Sequence, residues 1–281
     1  MSWTTADTLA RTVTFQEVLH DAAVDVSMLP DTDALDHGTA AQLTRGINAA
    51  YRYAWEYYNW PESTVIDTLA CNAHPVYING KFIPRQTAAG LRIATLFGLW
   101  TAHPLDDPTE ASPVCWSLGP DGFYLPCHDA DTVVAEYRTD VVRFDSREWD
   151  EEPIYPMGTI RYHAADGNSY RSTVGTKGVI PGIIGQLGVL HDATLTQPAY
   201  YEVTEDGSTA MPQDAWVAQP LLWILAEAVK AGASAMYARA EGQYGTSTLL
   251  EGAMMHLLDA QILQNDTQMG QSKSYRRSRT G

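Results

Sequence analysis

Cysteine is scarce in this sequence, and long apolar runs are missing from it. The three cysteines, Cys71, Cys115 and Cys127, cannot build a disulfide framework, which favours a reducing compartment. The longest apolar run, residues 215–225, is broken by a glutamine and a proline and is too short to span a bilayer. Residues 1–20 place polar and charged side chains among the apolar ones, so we expect no secretory signal. These absences predict a soluble protein that is made inside a cell and has no membrane partner.

Basic residues are also few. The chain has 18 Lys and Arg against 34 Asp and Glu, a formal net charge of −16. Residues 271–281 contain four of the basic residues and no acid, so the rest of the chain carries 14 basic and 34 acidic residues, a balance of −20. This acidic body argues against a nucleic-acid-binding surface, because phosphate binding requires Lys and Arg. The basic tail is either a disordered end or an arm that docks in an acidic groove of a partner.

Recognisable catalytic signatures are absent. The sequence has no phosphate-cradling loop followed by lysine and no nucleophile elbow. Cys71, His74, Cys127 and His128 are zinc-ligand types, but two of them are adjacent, which strains a tetrahedral site. The acidic run Asp150–Glu152 leaves hydrolysis by paired carboxylates as an alternative, although such runs are usually solvated turns. We therefore expect a protein that is not an enzyme, with no catalytic residue, no metal site and no cofactor.

Aromatic residues are concentrated near the end of a predicted helix. Six of the ten residues from Tyr51 to Trp60 are aromatic. Asp36 or Thr39 is the expected N-cap, and Pro61 disfavours helix at the residue before it. A single helical face is formed by Leu43, Ile47, Ala50, Ala54 and Tyr57. Such a cluster predicts either a core or a subunit interface, formed by Tyr51, Trp55, Tyr58 and Trp60.

The rest of the chain divides into helical ends and a β-rich middle. A first helix is expected from Thr5 or Asp7 to Leu19, passing through Val13 and Phe15. The middle contains strand patterns at residues 92–101 and 131–145, and turn signals at Asn79-Gly80, Gly119–Gly122 and Asp166-Gly167. Two closing helices are expected, one with Pro220 in its first turn and one capped by Thr246 or Ser247, which together form an antiparallel hairpin.

These patterns predict an α+β fold, in which a helical bundle formed by the N- and C-terminal helices carries a large β-rich insertion. The expected parts are an N-terminal helical part, a β-rich insert that contains a small β motif, a C-terminal helical hairpin and a basic tail. Their respective boundaries are residues 1–63, 64–205 with the motif at 148–175, 206–265 and 266–281.

The small β motif resembles the carbohydrate-binding modules of bacterial chitinases. The resemblance is carried by Trp149, Tyr155, Gly158, Ile160, Tyr162, Gly167 and Tyr170. It implies either a module whose aromatic rings stack on sugars or a structural insert, because the same small fold also occurs in phage virion proteins. Thr159 stands where the motif commonly has an acidic residue.

The layout of the whole chain is similar to that of the head-to-tail connector, or neck adaptor, proteins of tailed bacteriophages. The matching pieces are residues 51–62, 93–104, 119–138 and 220–264. The resemblance implies a virion structural protein at the head–tail junction, assembled in the host cytoplasm. It implies a homo-oligomeric ring, usually of twelve copies, that binds the portal protein above and a tail or neck protein below. DNA would pass through the ring without specific binding.

In such adaptors the C-terminal segment docks into the portal. The corresponding residues here are Lys273, Tyr275, Arg276, Arg277 and Arg279, whose charges suit hydrogen bonds in an acidic cleft. The acidic body suits a conduit to which DNA phosphates do not adhere. The expected function is therefore that of a head-to-tail adaptor. The alternatives are another neck or tail component, such as a stopper or tail-completion protein, and a carbohydrate-binding protein.

Overall fold

The chain folds into a mixture of α-helices and several small, mostly antiparallel β-sheets. The computed structural model describes residues 12–26, 35–73, 80–86, 92–104, 109–126, 130–182, 189–190, 200–202 and 215–268. Four α-helices lie within these residues. The chain divides into two compact units. We call Asn59–Val141 the β unit, and the described residues of Trp3–Tyr58 and Val142–Gly281 the helical unit.

The β unit contains two antiparallel sheets and a short 3-10 turn at Pro61–Ser63. One sheet has the order β2-β8-β5 and the other the order β3-β4-β7-β6. The strands are β2 Thr64–Ala70, β3 Asn72–Ala73, β4 Lys81–Pro84, β5 Ile93–Trp100, β6 Ser117–Leu118, β7 Gly122–Leu125 and β8 Thr132–Thr139. Apolar side chains of both sheets share one core, formed by Leu69, Cys71, Ile83, Ile93, Leu96, Leu99, Phe123, Leu125, Val133, Ala135 and Tyr137.

Two sequence predictions in the β unit are confirmed. Strand β5 occupies the predicted segment 92–101, and β6 and β7 form the hairpin predicted around Gly119–Gly122. The amide of Gly119 donates to the carbonyl of Gly122 at 2.8 Å, which closes this turn. The turn predicted at Asn79-Gly80 includes Asn79, which lies outside the described residues.

Four helices make up most of the helical unit. They are α1 Phe15–Asp25, α2 His37–Tyr57, α3 Trp223–Ala240 and α4 Tyr244–Gln268. Helix α3 contacts the other three, and α1 also contacts α2. None of the described helices has both the length and the apolar character that crossing a bilayer requires.

The boundaries of α2 agree with the sequence prediction. The carboxylate of Asp36 accepts hydrogen bonds from the amides of Gly38 and Thr39, at 2.8 and 3.1 Å, and so caps the helix. The helix ends at Tyr57, and Tyr58 is already extended, with φ −148° and ψ 160°. Both ends are therefore fixed by local chemistry, a cap at one and an approaching proline at the other.

The predicted start of the first helix was wrong. Thr12–Val13 forms strand β1 rather than helix, and α1 begins at Phe15. Thr14 and Glu17 form a capping box, in which each side chain accepts a hydrogen bond from the other's backbone amide, at 3.2 and 3.0 Å. The box defines the helix start more strongly than the apolar spacing on which the prediction rested. The proposed caps Thr5 and Asp7 lie outside the described residues.

The predicted starts of the two closing helices were also wrong. Leu221–Leu222 forms strand β15, which pairs antiparallel with β1, so Pro220 precedes a strand and not a helix. Helix α3 begins only at Trp223. Helix α4 begins at Tyr244, before both predicted caps, and the amide of Ser247 donates to the carbonyl of Gln243 at 3.0 Å.

Small β-sheets complete the helical unit. One has the order β14-β10-β9 and another the order β11-β13-β12, in which β11 and β13 are parallel. Their strands are β9 Ile160–His163, β10 Asn168–Ser172, β11 Gly175–Lys177, β12 Val189–Leu190, β13 Tyr200–Glu202 and β14 Trp216–Ala218. The hairpin predicted around Asp166-Gly167 is confirmed, and Gly167 has the positive φ of +72° that this turn requires. The predicted insert extended to residue 205, whereas the β unit ends at Val141.

Glycine allows α3 to approach its neighbours closely. A Cβ added at Gly232 would lie 2.6 Å from Met254 Sδ of α4 and 2.8 Å from Ala50 Cβ of α2. A Cβ added at Gly46 of α2 would likewise lie 3.1 Å from the backbone of Ala233 in α3. The three helices therefore meet at a point where no side chain fits between them.

We expect Gly232→Val to destabilise the helical unit by about 1–3 kcal/mol, because the added atoms force the helices apart. Gly252 of α4 is the matched control, since a Cβ added there meets nothing within 4 Å. Gly252→Val should be neutral or slightly stabilising, because valine has the better helix propensity. Denaturant unfolding followed by far-ultraviolet circular dichroism measures both. Equal effects of the two substitutions would show that the close approach at Gly232 is unimportant.

Candidate functional site

The aromatic cluster predicted as core or interface lies mostly inside the protein. Tyr51 and Trp60 are fully buried and Trp55 is 8% exposed, while Tyr58 is half-buried. The ring of Tyr51 packs against those of Trp55 and Phe144, with centroids 5.7 and 5.5 Å apart. The hydroxyl of Tyr51 lies 3.3 Å from the carbonyl of Pro220, and burial raises the pKa of this phenol. Tyr51 and Trp55 thus belong to the core, leaving little surface for another subunit.

A second pair of rings from the same helix faces α4. Tyr53 is 46% exposed, and its ring lies 5.7 Å from that of Tyr57. The hydroxyl of Tyr57 donates to the carboxylate of Asp259 at 2.9 Å, and that of Tyr53 lies 3.3 Å from Met255 Sδ. These contacts hold α4 against α2 at Met255 and Asp259.

Helix α4 exposes an uncharged surface on the side away from the core. Its buried residues Ser247, Met254 and Leu258 share one face. Leu249 and Leu263, on the opposite face, are 77% and 68% exposed. The residues of this opposite face recur at steps of three and four, and we call them the α4 outer face: Gly245, Leu249, Gly252, Ala253, His256, Ala260 and Leu263. The face extends over about 21 Å between the two leucines.

The α4 outer face carries no Asp, Glu, Lys or Arg, although 19% of the chain is charged. Solvent-facing helix surfaces are normally polar, so an uncharged face with two exposed leucines is a candidate interaction surface. The sequence prediction ran the helix through Leu249 without separating its two sides. The sequence does contain a signal for this face. Small or apolar residues recur at helical spacing on two opposite sides of α4, and only one of these sides can be the core side.

The portal-docking residues predicted in the tail remain a prediction. Lys273, Tyr275, Arg276, Arg277 and Arg279 all lie outside the described residues. Helix α4 reaches Gln268, so the tail follows it directly along the chain.

Two of the four rings of the small β motif are buried. Tyr155 and Tyr170 are 3% and 7% exposed and share a core with Trp216, whose indole N–H donates to the carbonyl of Val179 at 2.9 Å. Burial, followed by the hydrogen bond to Asp166, raises the pKa of Tyr170. Sugar binding requires exposed ring faces, so two of the four predicted stacking residues are unsuitable. The other two, Trp149 and Tyr162, are partly buried.

The remaining candidates for chemistry are the acidic run and the zinc-ligand residue types. Asp150, Glu151 and Glu152 are exposed, and Asp150 accepts a hydrogen bond from the amide of Glu152 at 3.2 Å, as in a solvated turn. Cys71 lies in the core of the β unit, where burial raises the pKa of its thiol, while His74, Cys127 and His128 lie outside the described residues. Within the described part of the chain, no group of three or more His, Cys, Asp or Glu side chains could hold a metal ion.

No family model matches this sequence, and no curated protein sequence matches it.

Proposed function

We propose that this protein is a virion structural protein, a head-to-tail adaptor that forms a ring beneath the portal of a tailed phage. The observation that carries this proposal is the α4 outer face, a long uncharged surface on a chain of net charge −16. Leu249 and Leu263 are both exposed on this face, which makes it a candidate contact surface for a partner.

Charge indicates what covers this face. Any two copies of the chain bring like charges together over most of their surfaces, which opposes association. The α4 outer face of one copy adds no charge to a contact with a different surface of the next copy, which is the head-to-tail contact that a ring requires, and the small residues around the leucines allow close approach of a neighbouring backbone. The occupant we propose is a second copy of the chain. The basic tail is a poor occupant, because Tyr275 is the one large apolar residue in 271–281.

This proposal moves the subunit contact away from the aromatic cluster. Tyr51 and Trp55 stabilise the helical unit from within, and α4 supplies the surface for assembly. We further propose that α1–α4 form the bundle from which the ring is built, and that the β unit is an insertion in it. The acidic body suits a channel that DNA crosses without binding, and the expected partners are the portal and a downstream tail or neck protein.

Electron microscopy of the purified chain, alone and mixed with the portal protein of the same genome, tests the proposal. Rings seated on the portal are the expected result. Rings that bind a tail tube and ignore the portal would instead favour a tail-completion or stopper protein. A chain that stays monomeric with every neck component would overturn the virion assignment.

Deleting residues 271–281 should abolish portal binding and leave the fold unchanged. The deletion removes Lys273, Arg276, Arg277 and Arg279, whose charge-assisted hydrogen bonds would hold the tail in an acidic cleft. Co-sedimentation with the portal measures binding, and circular dichroism checks the fold. A full-length variant with the four basic residues replaced by glutamine shows whether portal binding needs the charges of the tail or only its presence. Portal binding that survives the deletion would contradict the docking-arm proposal.

A further inference from the structure

Three arginines of this acidic chain converge on one cavity of the helical unit. The cavity has a volume of about 410 Å³, and Arg143, Arg147 and Arg161 are among the residues that line it. Asp145 is the one acidic residue that lines it, so the lining carries a net charge of +2. A local excess of positive charge is unexpected in a chain whose balance is −16, and solubility does not explain it. We call this the arginine cavity.

The backbone on one side of the arginine cavity is fixed by α2. The side-chain amide of Asn48 donates to the carbonyl of Phe144 at 2.9 Å and accepts from its amide at 2.8 Å. The ring of Phe144 stacks on Phe15, with centroids 5.3 Å apart. The residues on either side of Phe144 therefore project from a rigid support, which reduces the cost of ordering them around a ligand.

Arg161 also lines the arginine cavity, and its side chain is only 19% exposed. Its guanidinium lies 5.1 Å from the ring centre of Tyr155, and Nη1 donates to the carbonyl of Ile160 at 2.7 Å. Its distance to Asp145 Oδ2 is 3.5 Å, which is long for a charge-assisted hydrogen bond. The Arg161 guanidinium is thus held in place by these contacts, and part of its hydrogen-bonding capacity is left unused.

The three guanidinium groups differ in how much of their hydrogen-bonding capacity is used. Arg147 donates from Nε and Nη2 to Asp145 at 2.9 and 2.7 Å, and this pairing raises the pKa of the guanidinium. Arg161 uses Nη1 alone, and Arg143 makes no hydrogen bond or ion pair with any described residue. A guanidinium has five N–H donors, so Arg143 and Arg161 together leave most of theirs available.

We propose that the arginine cavity binds an oxyanion of the phosphate class. Available donors on two arginines suit a tetrahedral group with several acceptor oxygens, whereas the single fork of Arg147 already satisfies a carboxylate. This site is independent of ring assembly, since none of its residues belongs to the α4 outer face. The cavity is open to solvent, and its volume of about 410 Å³ leaves room for a ligand with more than one phosphoryl group.

Isothermal titration calorimetry of the full-length chain with inorganic phosphate and with pyrophosphate, at 0.15 M NaCl, tests the proposal. We expect pyrophosphate to bind more tightly, and Arg143→Gln to weaken its binding about tenfold or more, as expected for loss of a charge-assisted hydrogen bond. Arg143 is exposed and unpaired among the described residues, so this variant should fold normally. The matched control is Arg52→Gln, which removes an exposed arginine of α2 outside the cavity and should leave binding unchanged.

Asp145→Asn gives a test of opposite sign. Removing the one carboxylate of the cavity should strengthen pyrophosphate binding several-fold, because Arg147 and Arg161 become available to the ligand. If Arg143→Gln and Arg52→Gln lowered the affinity for pyrophosphate equally, general charge attraction would explain the binding. That result would overturn the proposed site. Absence of binding would also overturn it. Tighter binding of an acidic peptide than of pyrophosphate, sensitive to Arg143→Gln, would overturn the ligand class and assign the cavity to a protein partner.

Discussion

Replacing Leu249 and Leu263 together with glutamate should abolish ring assembly without unfolding the protein. Each buried leucine contributes about 1.5–3 kcal/mol to an interface, so losing both weakens every subunit contact by at least about 100-fold. The new carboxylates add repulsion between copies that already carry −16 each. Both side chains are more than 60% exposed in the single chain, and glutamate is a good helix former, so α4 itself should remain stable.

The control for this experiment is Ile154→Glu, which adds a charge at a 52% exposed apolar residue of the helical unit away from α4. Negative-stain images of portal mixtures and sedimentation velocity give the readouts. We expect rings for the control and dispersed monomers for the double variant. Normal rings in the double variant would remove α4 from the interface, even if the adaptor function itself were correct.

Local signals in the sequence predicted the elements whose ends depend on neighbouring residues. Asp36 and Pro61 lie within a few residues of the ends of α2, so its extent could be inferred from chemistry close in the chain. The turn at Asp166-Gly167 was predictable for the same reason. In each case the information needed was contained in a short window.

Predictions failed where a distant partner decides the structure. Leu221–Leu222 has an apolar helical neighbourhood, but it pairs as a strand with Thr12–Val13 from the other end of the chain. Tyr155 belongs to a motif typical of sugar-stacking surfaces, and Trp216, far along the sequence, covers it at a ring distance of 5.5 Å. Local propensities cannot predict such pairings, because contacts between distant segments override weak local preferences.

The candidate surfaces show the same limit. A helix with apolar residues on two sides can be recognised in the sequence, but which side is exposed is decided only once Met254 and Leu258 are placed in the core. The arginine cavity joins Asn48 of α2 to residues about a hundred positions later. The arginines can be counted in the sequence, but only the fold brings them to one cavity.

Trp55→Ala should destabilise the monomer by about 3–5 kcal/mol, the usual cost of deleting a buried tryptophan side chain. Trp55 is 8% exposed and packs against Tyr51, which in turn contacts Phe144 and the backbone at Pro220. The cavity left behind would therefore loosen the junction between α2 and the segments that follow the β unit in sequence. Urea unfolding of the monomer, followed at 222 nm, reports on this helical unit.

Tyr53→Ala is the matched control, since it removes an aromatic ring two residues away on the same helix. Tyr53 is 46% exposed, and its contacts with Tyr57 and Met255 are peripheral, so we expect a loss of about 1 kcal/mol or less. A large difference between the two variants identifies the aromatic cluster as core. If Trp55→Ala left the monomer as stable as the wild type and prevented ring assembly alone, the cluster would be the subunit interface. In that case the α4 outer face would need another explanation, because a ring requires one pair of complementary surfaces and the aromatic cluster would already supply part of it.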